Sequence, residues 1–210
     1  MAEKPLVVIG TTNRGKAREI GAALEAAGIR WASLAEFPHA PQVNEDGSTF
    51  AENARKKASQ LAAALGQWVL AEDSGLEVDS LGGKPGIHSA YYAGPGASDE
   101  ANYRLLLAQL GDLPLEKRSA RFVCHMVLAD PSGEIRAEVC EVCRGRITTE
   151  PRGESGFGYD PVFEIPEYHR TFAELGPVVK NVISHRGRAV RRILPQLLEL
   201  VGQGSSSVDE

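Results

Sequence analysis

Apolar positions along the chain recur at two different spacings, which predicts strands and helices in alternation. Short apolar runs at residues 6–9 and 68–71 are typical of buried strands. Apolar residues three to four positions apart predict four helices, which follow residue 10, Thr49, Ser98 and Ser184 in turn. The first run and the first helix together form a strand, a loop and a helix.

Local signals sharpen several of these boundaries. Thr49 and Glu52 stand at the spacing of a capping box, in which each side chain binds the other residue's amide at the start of a helix. Residues 119–129 and 134–143 predict two strands of a hairpin joined by a turn at residues 130–133. Helices combined with an antiparallel hairpin predict an α/β fold around a mixed sheet, with the hairpin as a candidate second lobe.

Composition and charge narrow the class of protein. A chain of 210 residues with 42% hydrophobic residues buries a core without disulfides. The net charge of −5 argues against a nucleic acid polymer as partner. We expect a soluble cytoplasmic protein with no membrane contact, since we find neither a signal peptide nor a run of about 20 apolar residues. The C-x-x-C of Cys140 and Cys143 lies in a predicted strand and is interpreted as ordinary strand cysteines.

The first candidate site is the segment of residues 10–16, Gly-Thr-Thr-Asn-Arg-Gly-Lys, where a strand ends and a helix begins. Such a turn directs backbone amides and the helix dipole at an anion. The spacing is nearly that of a P-loop, but Ala17 cannot supply the hydroxyl that a P-loop uses for magnesium. Phosphate binding and a plain strand-to-helix turn with an exposed lysine both stay open here.

The second candidate site follows the apolar run at residues 68–71. Glu72 and Asp73 are adjacent carboxylates at the predicted carboxyl end of a strand, where ligands of open α/β sheets bind. Neighbouring carboxylates repel each other, so the pair predicts a metal ion or a base of altered pKa. Ser74 and Gly75 predict a tight turn, and Ser74 is a candidate donor to a phosphate. Solvated loop acids are the alternative.

The third candidate site combines Ser-Gly-Phe-Gly-Tyr-Asp at residues 155–160, Lys180, and Ser-His-Arg-Gly at residues 184–187. An aromatic pair flanked by glycines offers a stacking surface, and the basic residues offer donors to base carbonyls or phosphates. A core position for Phe157 and a solvated Arg186 are the alternatives.

The three sites together resemble the family of inosine and xanthosine triphosphate pyrophosphatases, the Ham1-like proteins. The resemblance covers nearly the whole chain and consists of six ordered segments: residues 11–16, 47–54, 72–76, 81–86, 156–161 and 183–187. It implies an elongated mixed sheet flanked by helices, with two lobes and a central cleft. The implied domain spans residues 1–202 and ends in a disordered polar tail, residues 203–210.

The resemblance also implies an activity: Mg²⁺-dependent hydrolysis of ITP, dITP or XTP to the monophosphate and pyrophosphate by a homodimer. Asp73 would activate the attacking water and bind the metal together with Glu45. The residues implied to hold the triphosphate are Thr11, Thr12, Asn13, Arg14, Gly15, Lys16, Lys57 and Ser74. Those implied to recognise the purine are Phe157, Gly158, Tyr159, Asp160, Lys180, His185 and Arg186.

The chain departs from the family pattern at two positions. Asn44 stands where family members often have a metal-binding glutamate, and Tyr91 replaces the usual arginine. Glu45 is the nearest substitute for that glutamate, but the amide oxygen of Asn44 can also bind magnesium, so both stay open as the second ligand. Lys57 fits its implied role because it shares one helix face with Thr49 and Asn53, away from the apolar stripe. Two other functions stay open: a Maf-type pyrophosphatase acting on modified pyrimidine nucleotides, and a nucleotide-binding regulatory module.

Overall fold

The computed structural model describes residues 5–203, which form one mixed β-sheet and the helices around it. The strands are β1 (Val7–Ile9), β2 (Trp31–Ser33), β3 (Trp68–Val78), β4 (Ser119–Ala129), β5 (Ile135–Ile147), β6 (Phe163–Ile165) and β7 (Arg170–Thr171). The α-helices are α1 (Arg14–Ala26), α2 (Phe50–Leu65), α3 (Asp99–Leu110), α4 (Phe172–Ile183) and α5 (His185–Gln203).

The sheet has the strand order β2-β1-β3-β4-β5-β6-β7. Strand β1 runs parallel to β2 and β3, whereas β6 runs antiparallel to β5 and β7. Parallel pairs at one end of the strand order and antiparallel pairs at the other make the sheet mixed. The predicted α/β class with a mixed sheet is confirmed.

The chain divides into two compact units. Unit 1 comprises residues 1–73, 124–140 and 186–210, and unit 2 comprises residues 74–123 and 141–185. The hairpin turn at residues 130–133 belongs to unit 1, while the start of β4 and the end of β5 belong to unit 2. The hairpin is therefore not a lobe of its own, and that prediction was wrong. The central cleft and the single domain stay predictions.

Unit 1 is layered, with helices on both faces of its strands. Successive strand residues point to opposite faces. Leu70 packs in a cluster with residues of α1 and α5, whereas its neighbours Val69 and Ala71 pack in another cluster with residues of α2. The first cluster includes Val7, Ile9, Ile20, Leu24, Met126, Val190, Ile193 and Leu197, and the second includes Val8, Ala54, Ala58, Leu61 and Val127.

Unit 2 has an aromatic core. The Phe163 ring lies 4.7 Å from the Phe122 ring and 5.1 Å from the Phe172 ring, measured between centroids. Phe172 begins α4, which the hydrophobic pattern did not reveal. Its signal was present all the same, because Thr171 and Glu174 form a complete capping box at its start. Strands β6 and β7 were missed because, unlike the equally short β1, they contain the polar residues Glu164, Arg170 and Thr171 and form no apolar run.

The structure also moves several predicted boundaries. Strand β3 continues to Val78 instead of ending at residue 71, and β5 continues to Ile147. Helix α5 includes Gln203, so the predicted tail is helical at its first residue, and residues 204–210 lie outside the described part. Thr49 caps α2 as predicted, but the Glu52 carboxylate accepts from the Ser48 amide (2.7 Å) and hydroxyl (2.9 Å).

A close contact in unit 1 gives a test of the packing. A Cβ atom added at Gly21 in α1 would lie 2.4 Å from the Trp31 ring. Gly21→Ala is expected to lower the free energy of unfolding by about 1–3 kcal/mol in urea denaturation, because the ring must shift. Gly202→Ala in α5 is the control, since a Cβ there meets nothing within 4 Å. Equal stabilities of the two variants would contradict the packing.

Candidate active site

The length of β3 decides where the two adjacent acids lie. Ile9, the last residue of β1, pairs with Leu70, and the Gly10 amide donates to the Leu70 carbonyl at 2.9 Å. Strand β3 then continues past the end of β1, so that Glu72 and Asp73 follow the carboxyl end of this parallel pair. The location agrees with the prediction, but the acids lie in a strand. The alternative of solvated loop acids and the predicted turn at residues 74–75 were therefore wrong.

Glu72 and Asp73 point to opposite faces of β3. Glu72 follows the alternation of Leu70, whose face carries α1 and α5, and Asp73 follows Ala71, whose face carries α2. Lys16 and Arg186 form ion pairs with Glu72, and Lys57 forms one with Asp73, but Lys16 also lowers the pKa of Asp73. The predicted base of altered pKa agrees with the raised pKa of the Asp73 carboxyl, whereas the metal ion stays a prediction.

Glu72 gathers two cations from different helices. Its Oε1 atom lies 3.0 Å from the Lys16 ammonium and 3.2 Å from Nε of Arg186. Nη1 of Arg186 also donates to Glu19 of α1 at 2.5 Å. The Glu72 side chain is fully buried and Arg186 is buried. Lys16 and Arg186 are 170 positions apart in sequence, yet both contact one oxygen atom of Glu72. Residues of the first, second and third candidate sites therefore lie together here.

The electrostatics keep Arg186 charged in this buried place. Burial by itself lowers the pKa of its guanidinium, but Glu72 and Glu19 raise it, and the net shift is upward. The alternative of a solvated Arg186 was wrong.

On the other face, Asp73 lies against α2. Nδ2 of Asn53 donates to the Asp73 carboxylate at 3.0 Å, and the Lys57 ammonium lies 3.7 Å from it. The same ammonium lies 2.7 Å from the Glu45 carboxylate. Asn53 and Lys57 are only 2% and 8% exposed, although neither belongs to the apolar cluster in which Ala54, Ala58 and Leu61 of the same helix pack. Their face of α2 is buried because it packs on Asp73 and Glu45.

Burial raises the pKa of the Asp73 carboxyl above its ordinary value, while Lys57, Lys16 and the hydrogen bond from Asn53 oppose the rise. The pKa of Lys57 shifts in the direction opposite to the effect of burial. Burial lowers the pKa of its ammonium, but Asp73 and Glu45 raise it, and the net shift is upward. Lys57 is therefore a cation next to a carboxylate that accepts a proton more readily than a solvated one.

The loop after β1 leads directly into the first turn of α1. Asn13 caps the helix by accepting from the Lys16 amide at 3.0 Å, and the Asn13 amide donates to the Thr11 hydroxyl at 3.2 Å. Thr12 and Arg14 are exposed. A cavity of about 510 Å³ borders this loop, with Gly10, Thr11, Thr12, Glu45 and Lys57 among its lining residues. The apolar part of its wall includes Leu34, Phe37, Pro38, Ala40, Pro41, Val43 and Leu61.

Unit 2 contains a second cluster of predicted site residues. The Asp160 carboxylate accepts from the Phe157 amide at 2.9 Å and is bonded to the Lys180 ammonium. The ammonium lies 4.4 Å from the centroid of the Phe157 ring, within cation–π range. Asp160 and Lys180 are buried, whereas Phe157 is half-buried, so the alternative of a core position for Phe157 was wrong.

The remaining predicted residues of unit 2 differ in their surroundings. Tyr159 is buried and donates its hydroxyl to the Ser89 carbonyl at 2.9 Å. The Gly158 amide donates to Asp99 at 2.7 Å. The His185 ring stacks on Phe122 at 4.6 Å with an interplanar angle of 8°. Ser74 is half-buried in β3. The hydrogen bonds of Gly158 and Tyr159 hold the turn at residues 157–160. The Phe-Gly-Tyr-Asp segment alone does not predict these partners.

Several residues of the two clusters were not identified as site residues from the sequence. Asn53 lies inside a segment of the family resemblance, which was a usable signal, whereas Glu72 was a candidate from the sequence but was not assigned a role in binding. Glu19 had no signal except its position three residues after Lys16 on a helix. Asn44 and Glu45 are both exposed, but Glu45 contacts Lys57, which also pairs with Asp73, and this contact favours Glu45 over Asn44 as a partner of Asp73. Tyr91 is 45% exposed, and its hydroxyl lies 3.1 Å from Nδ1 of His88.

Two searches of the described residues gave negative results. Within residues 5–203 no three or more His, Cys, Asp or Glu side chains are grouped so as to hold a metal ion. Cys140 and Cys143 lie in β5, as predicted. Across the same range of residues, no helix has the length and apolar character needed to span a membrane.

Sequence comparison assigns the chain to a family. The Ham1 family matches residues 7–196, which include both clusters. The chain belongs to the Ham1 family. The predicted family is thereby confirmed, and the segments at residues 11–16, 72–76 and 156–161 are parts of a Ham1 sequence.

Named relatives and solved structures agree with this assignment. The dITP/XTP pyrophosphatase of Rhodopirellula baltica is 51% identical over 201 residues, which cover 96% of this chain and 97% of the relative. That of Geobacillus kaustophilus is 50% identical and covers 93% and 96%. The HAM1 protein of Coxiella burnetii has a similar structure, with a TM-score of 0.82, 38% identity and coverage of 93% and 99%. The Staphylococcus aureus Ham1 protein has a TM-score of 0.79, 40% identity and coverage of 92% and 98%.

Proposed function

We propose that this Ham1 protein hydrolyses the non-canonical purine nucleoside triphosphates ITP, dITP and XTP to the monophosphate and pyrophosphate, and so removes damaged purines from the nucleotide pool. The observation that carries the proposal is the position of Asp73. This buried carboxylate of raised pKa contacts Lys57 and follows the end of β1, next to a helix N-terminal loop suited to anions. The names of the relatives from Rhodopirellula and Geobacillus support it.

The triphosphate is assigned to the loop of residues 11–16, with Lys57 and Ser74. The backbone amides at the start of α1 and the ammonium of Lys16 supply positive potential there. Lys57 supplies a second cation at the wall of the 510 Å³ cavity. These local cations are needed because the whole chain carries a net charge of −5, which repels a polyphosphate.

The residues around Asp73 fit a divalent metal ion such as Mg²⁺. Both the Asp73 and the Glu45 carboxylate reach the Lys57 ammonium, so their oxygens already converge on a positive charge. Carboxylate oxygens are the ligands that Mg²⁺ prefers, and it commonly takes one or two of them together with phosphate oxygens and water. Asp73 and Glu45 would hold the ion, which when bound neutralises charge on the phosphate oxygens.

Asp73 is assigned as the general base. A water oxygen attacks the α-phosphorus, the bond from that phosphorus to the bridging oxygen of the pyrophosphate breaks, and the Asp73 carboxylate accepts the proton of the water. Burial favours this role because it raises the pKa of Asp73 and so strengthens the base. Asn53 holds one carboxylate oxygen by its hydrogen bond and thereby fixes the orientation of the group.

The purine is assigned to the cluster of Phe157, Asp160 and Lys180 together with Gly158, Tyr159, His185 and Arg186. The half-buried Phe157 ring offers a stacking surface, and the buried polar groups discriminate between a 6-keto and a 6-amino edge. A mismatch at one buried polar group costs about 1–3 kcal/mol, so several together give strong selection against ATP and dATP. The homodimer and the cytoplasmic location are part of the same proposal.

The proposal is tested by the products formed from a panel of nucleotides. Purified protein with Mg²⁺ is expected to release pyrophosphate from dITP, ITP and XTP at a kcat/KM at least about 100-fold above that for dATP and GTP. Release of orthophosphate would contradict the cleavage position. Preference for modified pyrimidine triphosphates would favour the Maf-type function, and tight binding without turnover would favour the regulatory module.

A further inference from the structure

Glu72 lies beside the proposed catalytic base but has a different environment. It is on the α1 and α5 face of β3, whereas Asp73 is on the α2 face, so the two carboxylates form ion pairs with different residues. Its carboxylate is fully buried and holds the Lys16 and Arg186 cations at a single oxygen atom. Burying a carboxylate costs free energy unless it is paired with a cation, and Lys16 and Arg186 supply that pairing.

The two cations lie on helices that are far apart in the sequence. No local sequence signal predicts that these helices meet. Lys16 is in the first turn of α1, and Arg186 is in the first turn of α5. Both side chains are long and lose several rotatable bonds when they are held in one position. Hydrogen bonds to a fixed strand carboxylate hold them in place before a ligand arrives, which lowers the ordering cost on binding.

We propose that Glu72 is a positioning residue, which fixes the Lys16 ammonium for the phosphates and the Arg186 guanidinium for the nucleoside part of the substrate. It does not touch the reacting atoms. The inference rests on the proposed function, because the roles of Lys16 and Arg186 are defined by it. Glu19 supports Arg186 from a second side, whereas Lys16 shares Glu72 with Arg186.

The test moves the carboxylate without removing its charge. Glu72→Asp shortens the side chain by one methylene, about 1.5 Å, and keeps the negative charge that compensates the buried cations. The expected result is a fall of kcat/KM for dITP by about 10- to 100-fold with a melting temperature near that of the wild type, since displacing a binding group by about 1 Å has effects of this size. If Glu72 only compensated the charge of Lys16 and Arg186, the Glu72→Asp variant would keep nearly wild-type activity.

The matched control is Glu77→Asp. Glu77 is on the same strand and is half-buried, and it accepts from Nε of Arg121 at 2.6 Å. This variant is expected to keep kcat/KM for dITP within about twofold of the wild type, as is usual for one partially exposed ion pair. Comparable losses in the two variants would show a general effect of shortening β3 acids and would overturn the inference.

A double-mutant cycle separates positioning from an independent effect. If Glu72 acts through Lys16, Glu72→Asp should cost less activity in the Lys16→Met background than in the wild type. Equal losses in both backgrounds would contradict the inference.

If Glu72→Asp does not fold, Glu72→Gln takes its place in the cycle. If neither variant folds, Glu72 is a residue that stabilises the fold, and the inference fails. Wild-type protein inactive on dITP would refute the proposed function instead, whereas an active wild type with an active Glu72→Asp variant would refute only the positioning role.

Discussion

Replacing Asp73 by asparagine is expected to lower kcat for dITP hydrolysis by about 10³-fold. The amide has nearly the same shape but cannot accept the proton of the attacking water, and loss of a general base commonly costs 10²- to 10⁴-fold. The substitution also removes one negative charge next to Lys57, so the affinity for dITP measured without Mg²⁺ should not fall. Steady-state kinetics with pyrophosphate detection, together with equilibrium binding of dITP, check both parts of this expectation.

The control for Asp73→Asn is Asp79→Asn, the same substitution six positions away. Asp79 accepts from the Ser119 hydroxyl at 2.7 Å and has no part in the proposed chemistry. It should retain kcat within about twofold, as expected for a surface substitution. An Asp73→Asn variant that hydrolyses dITP like its parent would remove the basis of the mechanism.

The second large effect is expected in the purine cluster of unit 2. Lys180→Met leaves the buried Asp160 carboxylate without its cationic partner, and breaking a buried ion pair in this way typically costs about 3–5 kcal/mol of unfolding free energy. Urea denaturation measures that loss. In protein that remains folded at low temperature, KM for dITP should rise about tenfold, because a charged donor to the base is absent.

Two further variants show whether a loss of stability in Lys180→Met comes from breaking the ion pair with Asp160. Lys117→Met removes an exposed lysine of the same unit and should change stability by no more than about 0.5 kcal/mol. Lys180→Met combined with Asp160→Asn removes both charges and should recover part of the lost stability, because the two positions interact directly. A Lys180→Met variant as stable as Lys117→Met would show that the pair contributes nothing.

Short signals in the sequence identified the elements whose ends depend on neighbouring residues alone. Thr49 and Ser98 were recognised as helix caps because a side chain bonds to an amide two or three residues later, which needs no tertiary contact. Thr171 gave the same signal for α4 and was overlooked because only short strands precede it. Motif order identified the family, since six segments in sequence constrain the assignment far more than any one of them.

What the sequence alone determined, therefore, was the family and the α/β class, and it also supplied the residues that are proposed to bind phosphate and base. The tertiary structure decided how those residues are partnered. Strand β3 continues past residue 71 because its polar residues find buried partners on the helices of both faces, and apolar periodicity does not encode such partners. That extension places Glu72 and Asp73 on opposite faces, where Glu72 pairs with Lys16 and Arg186 and Asp73 pairs with Lys57. The contact between Glu72 and Arg186 joins residues 114 positions apart, which no local pattern contains.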